Sequence, residues 1–99
     1  MEIQKSDIVC SLAGRDKGQL YYVLEASGGN ILLADGKGRR LDKLKRKNPK
    51  HLRLITVPED RIAGKIKNGE KITDSEIRRS LQQMAAKEIA DLNGEKGGM

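Results

Sequence analysis

The fold is decided by residues 6–24, which read SDIVCSLAGRDKGQLYYVL. Two apolar runs, residues 8–12 and 20–24, flank a polar segment that has a glycine at each end, Gly14 and Gly18. Short runs rich in Ile, Val and Tyr suit the pleated surface of a β-strand. Glycine adopts the positive φ angles that other residues avoid, so the segment between the runs predicts a tight turn. The stretch therefore predicts two strands joined by a glycine-bounded loop.

Strand and turn chemistry alternates in the same way up to residue 57. Residues 27–30 read Ser-Gly-Gly-Asn and predict a hairpin turn, because they supply positive φ angles. A strand at 31–34, a break at 35–38, an edge strand or its flank at 39–46, and a last strand at 52–57 follow. Five short strands with short connections predict a small barrel, since closure hides the edges of such a sheet.

The pattern changes to helical spacing after Pro58. Residues 59–67 predict one or two helical turns, and Thr73 with Glu76 matches a capping box at the start of a longer helix. Gly94 is predicted to end that helix. Its apolar stripe, at helical spacing over about five turns, consists of Ile77, Leu81, Met84, Ala85, Ile89 and Leu92.

The two periodicities divide the chain into two parts. Residues 1–57 are predicted to form the β-barrel, and residues 58–99 a helical C-terminal extension whose Gly-rich end, residues 95–99, is frayed. The predicted fold class is mainly β with C-terminal α: a small barrel, a short helical turn and a long amphipathic helix.

Residues 6–24 resemble a KOW motif, which is a strand, a loop of the form Gly-(Lys/Arg)-Asp-Lys-Gly and a returning strand. Here the loop reads Gly-Arg-Asp-Lys-Gly at residues 14–18. The similarity continues through residues 31–36, 39–47 and 48–52 to the KOW-type large-subunit ribosomal proteins of archaeal and eukaryotic type. Covering about residues 6–55, it implies an SH3-like barrel that binds structured RNA. It does not cover the C-terminal helix, so a bacterial relative with a regulatory or ribosome-associated role fits equally well.

The charge of the chain favours polyanionic partners. The formal net charge is +6, and between residues 37 and 53 the single acid is Asp42. Acidic proteins and anionic membranes attract the same charge. A run of cations is also typical of a solvent-exposed surface that binds no ligand. Beside the KOW-like loop, it predicts contacts to RNA phosphates, which position a protein without reading bases. The predicted RNA-binding residues are Arg15, Lys17, Lys37, Arg39, Arg40, Lys43, Lys45, Arg46, Lys47, Lys50 and Arg53.

Catalysis and metal binding find no support in the sequence. Cys10 is the only cysteine, which excludes a disulfide within the chain and a Cys-rich zinc site. His51 has neither a metal-binding companion nor a nucleophile to serve. No cofactor, metal or catalytic residue is therefore predicted. The polar N-terminus and the lack of a run of about 20 apolar residues predict a cytoplasmic protein with no membrane partner.

Two features leave alternatives open. Tyr21 and Tyr22 are adjacent in a strand and point to opposite faces, so one belongs to the core and the other either packs on the surface or stacks on a base. The helical stripe either packs on the barrel or docks a protein partner or a second copy of the chain. The second case gives the alternative function, a protein-interaction adaptor.

Overall fold

A computed structural model describes residues 2–97, with side chains for residues 2–87. It is a small domain with five strands and two C-terminal helices, which confirms the mainly β class with C-terminal α and the predicted number of strands. The elements in chain order are β1 (Ile8–Ser11), β2 (Leu20–Ser27), β3 (Asn30–Ala34), β4 (Lys45–Lys47), a 3₁₀ turn (Pro49–His51), β5 (Leu52–Thr56), α1 (Arg61–Asn68) and α2 (Asp74–Gly97).

The strands form one antiparallel sheet in the order β4-β3-β2-β1-β5. β4 and β5 are its edges and do not pair with each other, so the sheet is not closed. One reason lies in residues 39–44, which form a loop and leave β4 only three residues long. Of the two predictions for residues 39–46, an edge strand or its flank, the strand is confirmed only at residues 45 and 46. Residues 39–44 are its flank, and side-chain carboxylates hold their backbone, as described below.

The sheet is buried on both faces. Neighbouring residues of one strand point to opposite faces, so Ile8 and Val9 belong to different apolar clusters, as do Tyr21 and Tyr22. The first cluster joins the sheet to the helices and consists of Ile8, Tyr22, Ile62, Ile66, Ile77 and Leu81. The second cluster lies on the other face and consists of Val9, Tyr21, Val23, Ile31, Leu33 and Leu52.

Two-sided burial explains why the last strand does not alternate between apolar and polar residues. Leu54 packs against the second cluster, whereas Ile55 packs against the first. The pairing of β1 with β5 shifts by one residue between Ile8 and Val9, which leaves Ile55 as the extra residue of a β-bulge.

The second cluster has no helix over it. Its members come from β1, β2, β3 and β5, with Ile3 packed against them. A second bulge, between Val23 and Glu25, interrupts the pairing of β2 with β3, and bulges bend the strand that carries them. The strands that carry the second cluster are therefore bent at this bulge.

Capping residues near the first turn determine where each helix begins. The Asp60 carboxylate accepts a hydrogen bond from the Ala63 N–H at 2.9 Å and caps α1, which ends at Gly69 with a φ of 70°. The predicted capping box of α2 is confirmed: the Thr73 N–H donates to Glu76 Oε1 at 2.9 Å, and the Glu76 N–H donates to Thr73 Oγ1 at 3.2 Å.

The first turns of α2 pack on the sheet. Ile77 and Leu81 are buried in the first cluster, and Met84 is packed against it. The predicted stop at Gly94 is wrong, since the helix continues to Gly97. A glycine in a helix interior costs only about 1 kcal/mol, so the residue alone does not end a helix. Ile89 and Leu92 lie beyond the described side chains, and residues 98–99 beyond the described backbone.

One glycine lets a loop touch α2. Gly36 has a φ of 75°. A Cβ at this position would collide with the Asp74 carbonyl oxygen and would lie 2.9 Å from the backbone nitrogen of Arg78. The Arg78 guanidinium donates to the Gly36 carbonyl oxygen at 2.9 Å. Gly36 is thus required both by its backbone angle and by the close approach of the helix.

Gly36→Ala should destabilise the fold more than Gly18→Ala does. Gly18 also has a positive φ, 89°, but open space where a Cβ would lie, so its substitution costs about 1–2 kcal/mol for the backbone angle alone. Gly36→Ala adds an overpacking cost of about 1–3 kcal/mol. Urea unfolding of the two variants measures the difference, and equal losses would contradict the close packing of this loop on α2.

Candidate nucleic-acid interface

The predicted glycine-bounded loop, residues 14–18, is here called the glycine loop. Gly14 and Gly18 have φ angles of 86° and 89°, as the sequence predicts. The Gly18 N–H donates to the Ser11 carbonyl oxygen at 2.8 Å, and the Gln19 N–H donates to the Asp16 carbonyl oxygen at 2.8 Å. These bonds give the loop a defined shape, from which the exposed side chains of Arg15 and Lys17 extend.

Asp16 points inward from the glycine loop, and its carboxylate joins three strands. It accepts hydrogen bonds from Ser11 Oγ at 2.9 Å, Tyr21 OH at 2.8 Å and Lys47 Nζ at 3.0 Å. Lys45 Nζ lies 3.7 Å away. Because these partners belong to β1, β2 and β4, one carboxylate fixes the loop to most of the sheet.

The contacts of Asp16 change two pKa values. Burial raises the pKa of its carboxyl, but the hydrogen bonds from Lys47, Tyr21 and Ser11 and the charge of Lys45 outweigh that effect and hold the pKa well below its usual range. Burial, followed by the hydrogen bond to Asp16 and its negative charge, raises the pKa of Tyr21 well above its usual range. Asp16 is thus charged and Tyr21 neutral at any physiological pH.

The cations of β4 are divided between the faces of the sheet. Lys45 pairs with Leu33 and Lys47 with Ile31, so both lysines lie on the face of the second cluster, whereas Arg46 lies on the opposite face. The Lys47 side chain is only 13% exposed, and its Nζ also donates to the Ala13 carbonyl oxygen at 3.1 Å. Lys47 therefore holds the glycine loop from β4.

A second carboxylate shapes residues 35–39, here called the aspartate loop. The buried Asp35 accepts hydrogen bonds from the Lys37 N–H at 2.9 Å and the Arg39 N–H at 2.7 Å. Its other oxygen accepts a bond from Gln19 Nε2 at 3.0 Å. Asp35 thus ties the aspartate loop to the chain that follows the glycine loop.

A third carboxylate extends this arrangement to α2. Asp74, the first residue of that helix, accepts a hydrogen bond from the Leu41 N–H at 2.7 Å. The Arg40 side chain, which is 66% exposed, lies 3.4 Å from the same carboxylate. The chain between β3 and β4 is therefore irregular but fixed at both ends.

The structure brings four of the predicted cations together around one cleft, here called the loop cleft. Arg15 comes from the glycine loop, Arg39 from the aspartate loop, and Lys45 and Lys47 from β4. Asp16, Asp35 and the hydroxyl end of Tyr21 lie between them. The loop cleft thus gathers cations from three separate stretches of the sequence.

The other predicted residues lie outside the loop cleft. Lys37 lies on the side of the aspartate loop that faces α2. Arg53 lies on β5, at the other edge of the sheet from β4, in a depression that it shares with Ile3 and Pro49. The remaining members of the set, all exposed, are Lys17, Arg40, Lys43, Arg46 and Lys50.

Three features of the site were missed from the sequence. The sequence assigns no role to the side chains of Asp16 and Asp35. The Asp-Gly-Lys-Gly sequence at residues 35–38 could have indicated one, because an Asp side chain in a turn often accepts hydrogen bonds from the backbone N–H groups that follow it. The bond from Arg78 of α2 to the Gly36 carbonyl oxygen is not predicted either, because the two residues are far apart in the sequence. Both tyrosines are buried, with Tyr21 3% exposed, so the alternative of a base-stacking tyrosine is wrong.

Neither metal binding nor membrane insertion is indicated in the described part of the chain. Within residues 2–97, no group of three or more His, Cys, Asp or Glu residues could hold a metal ion. Over the same residues, no helix is both long and apolar enough to cross a bilayer. A scan against protein-family models and a search of curated proteins each find no match to the chain.

Asp16→Asn should remove an acid-dependent part of the stability. A carboxyl group whose pKa is lowered by folding stabilises the native state above its unfolded pKa, and this contribution is lost as the pH falls from about 5 downward. Loss of a charged hydrogen bond costs about 1.5–3 kcal/mol at neutral pH. Urea unfolding between pH 7 and pH 3 measures both effects.

Comparison with the variant Lys47→Gln and with the parent protein makes that experiment specific to the Asp16 carboxylate. Lys47→Gln should weaken the same acid dependence, because it removes one of the donors that lower the Asp16 pKa. If Asp16→Asn instead keeps the full pH dependence of the parent protein, the Asp16 cluster does not carry it.

Proposed function

We propose that this chain is a non-catalytic RNA-binding protein of the KOW type, which holds the phosphates of structured RNA on its glycine and aspartate loops. The observation that carries the proposal is that exposed cations from separate loops form one fixed surface. The hydrogen bond from Gln19 to Asp35 joins the aspartate loop to the chain that follows the glycine loop, and the bonds of Lys47 to Asp16 and Ala13 hold the glycine loop against β4. A fixed array of cations pays little conformational entropy when it binds a polyanion.

The acids within the basic region offset only part of its charge. Asp16 pairs with Lys47 at 3.0 Å and with Lys45 at 3.7 Å, and Asp35 accepts two backbone N–H groups. The exposed cations of the region are therefore not the ones that pair with these two carboxylates. Release of counterions from RNA phosphates would drive association with such a surface. The exposed cations of the two loops, of residues 40–44 and of β4 are Arg15, Lys17, Lys37, Arg39, Arg40, Lys43 and Arg46.

An SH3-like barrel is part of the proposal. The second cluster draws side chains from four strands of one sheet and is covered without a second layer. The bulge in β2 supplies the bend that such curvature requires. A sheet of five short strands that curls around its own core is what a small, partly open barrel looks like.

Recognition of RNA shape fits the surface better than recognition of single strands. The chain has two Tyr, no Phe and no Trp, and both tyrosines are buried. Proteins that bind single strands stack the bases on exposed aromatic rings, whereas duplex RNA is bound through its backbone and shape. The resemblance of residues 6–55 to ribosomal KOW proteins makes ribosomal RNA, in the cytoplasm, the first partner to test.

The adaptor alternative has less support. Ile77 and Leu81, which belong to the stripe that would dock a partner, are buried against Ile8 and Tyr22 of the same chain. Deletion of residues 59–99 would expose this part of the core, so it is a poor test between the two functions.

A salt series with a labelled RNA hairpin tests the proposal. In the triple variant Arg15→Gln, Lys17→Gln, Arg39→Gln, three exposed cations of the two loops are neutralised. If each contacts a phosphate, the slope of log K against log salt should fall by about 2–3. The parent protein should show a steep slope, and the variant a shallow one with lower affinity.

The matched control neutralises three exposed lysines elsewhere, Lys5, Lys67 and Lys71, with the same change in net charge. It should bind the hairpin nearly as tightly as the parent. Equal losses in both triple variants would mean that only net charge matters, and the two loops would then not be the binding site.

The preference for structured over single-stranded RNA provides an independent test. The parent protein should bind a hairpin about tenfold more tightly than an unstructured strand of the same length, because it lacks an aromatic platform for unpaired bases. Competition between the two RNAs at constant salt measures the ratio. Preference for the unstructured strand would contradict binding through duplex shape.

A further inference from the structure

A second cleft lies between the loops and helix α2, and it is here called the helix cleft. Lys37 lines it from the aspartate loop, and Arg78 and Gln82 line it from α2. Gln19 and Asp35 line both the helix cleft and the loop cleft. The two clefts are therefore neighbours, and the Gln19–Asp35 hydrogen bond lies where they meet.

The two clefts together have an excess of positive charge. Six cations line them against the carboxylates of Asp16 and Asp35, and two of the six, Lys45 and Lys47, pair with Asp16. The cations are Arg15, Lys37, Arg39, Lys45, Lys47 and Arg78.

The opposite side of α2 differs in its charge. The groove between α1 and α2 is lined by two cations, Arg61 and Arg79, and two acids, Asp60 and Glu76. Arg61 lies 3.4 Å from the Glu76 carboxylate, so part of this charge is paired. Only one side of α2 thus continues the basic surface of the loops.

The basic side of α2 is held at a fixed position relative to the loops. The Arg78 guanidinium donates to the Gly36 carbonyl oxygen at 2.9 Å, and Asp74 accepts from the Leu41 N–H at 2.7 Å. Arg78 also donates to Ser75 Oγ at 3.3 Å. A guanidinium has five N–H donors, so Arg78 keeps donors for a ligand beyond its bonds to Gly36 and Ser75. The helix and the aspartate loop can therefore present their cations together.

We propose that the RNA site extends across the aspartate loop onto α2, and that the helix cleft binds a further backbone phosphate of the same RNA. Lys37 and Arg78 supply the charge, and the exposed Gln82 amide lies beside them as a hydrogen-bond donor. This inference rests on the proposed function and adds a helix that the resemblance to KOW proteins does not cover.

Two neighbouring glutamines of α2 provide the test. Gln82 lines the helix cleft, and Gln83 lines the groove between the helices. Both are exposed, and each has an arginine four residues earlier, Arg78 and Arg79. Gln, Glu and Lys have nearly equal helix propensity, so all four variants, each glutamine changed to Glu and to Lys, should fold.

Binding of the four variants to the RNA hairpin is measured in a salt series centred on 0.15 M. There the screening length is about 8 Å, so a charge acts mainly on its near neighbours. Gln82→Lys should tighten binding and raise the salt slope by about 1, and Gln82→Glu should weaken binding and lower the slope by about 1. Gln83→Lys and Gln83→Glu should bind like the parent protein.

The outcomes separate this inference from the proposed function. If the loop variant Arg15→Gln, Lys17→Gln, Arg39→Gln loses affinity but the Gln82 and Gln83 variants bind alike, RNA contacts the loops and not α2, and the inference is wrong. If the parent protein does not bind structured RNA, the proposed function fails and the inference fails with it.

Discussion

Two adjacent tyrosines of β2 set the constraint on which this structure depends. Tyr21 and Tyr22 point to opposite faces of the sheet and are both buried, so each face must be covered. Residues of the two helices pack on the face of Tyr22, and residues of β1, β3 and β5, with Ile3, pack on the face of Tyr21. Each hydroxyl also needs a polar partner: Tyr21 donates to Asp16, and Tyr22 lies 2.6 Å from Ser80 Oγ. Burial, with the nearby Asp60, raises the pKa of Tyr22 to about 12, so both rings remain neutral inside the fold.

The requirement for polar partners links the core to the surface. The Asp16 carboxylate receives a tyrosine hydroxyl from the core and a lysine ammonium from β4, so the glycine loop takes its position from both. Asp35 and Asp74 do the same for the chain between β3 and β4, by accepting backbone N–H groups. Loops rich in cations would repel one another if nothing held them. Three aspartates therefore make it possible for a basic surface to have one fixed shape.

Features that depend on neighbouring residues could be predicted from the sequence. The Gly28–Gly29 turn and the capping box of α2 depend on neighbouring residues, and the structure has both. What the sequence could not provide depends on distant partners. Residues 39–44 have the composition of an edge strand or its flank. The sequence does not reveal that the carboxylates of Asp35 and Asp74 accept hydrogen bonds from their backbone. The partners of Asp16 are likewise up to 31 residues away, so a single motif does not reveal them. For the same reason, the run of cations predicts a basic surface but not which cations share a cleft.

The short edge strand β4 has a consequence for motion. Its three residues pair only with β3, so few backbone hydrogen bonds hold it in place. Lys47 adds side-chain bonds from β4 to Ala13 and Asp16, and thereby couples the strand to the glycine loop. Segments that share their stabilising bonds open and close as one cooperative unit in hydrogen exchange. β4 and the glycine loop should therefore form a single unit of local unfolding, less protected than the β1–β2 centre of the sheet, and a bound polyanion that contacts both would slow the exchange of both together.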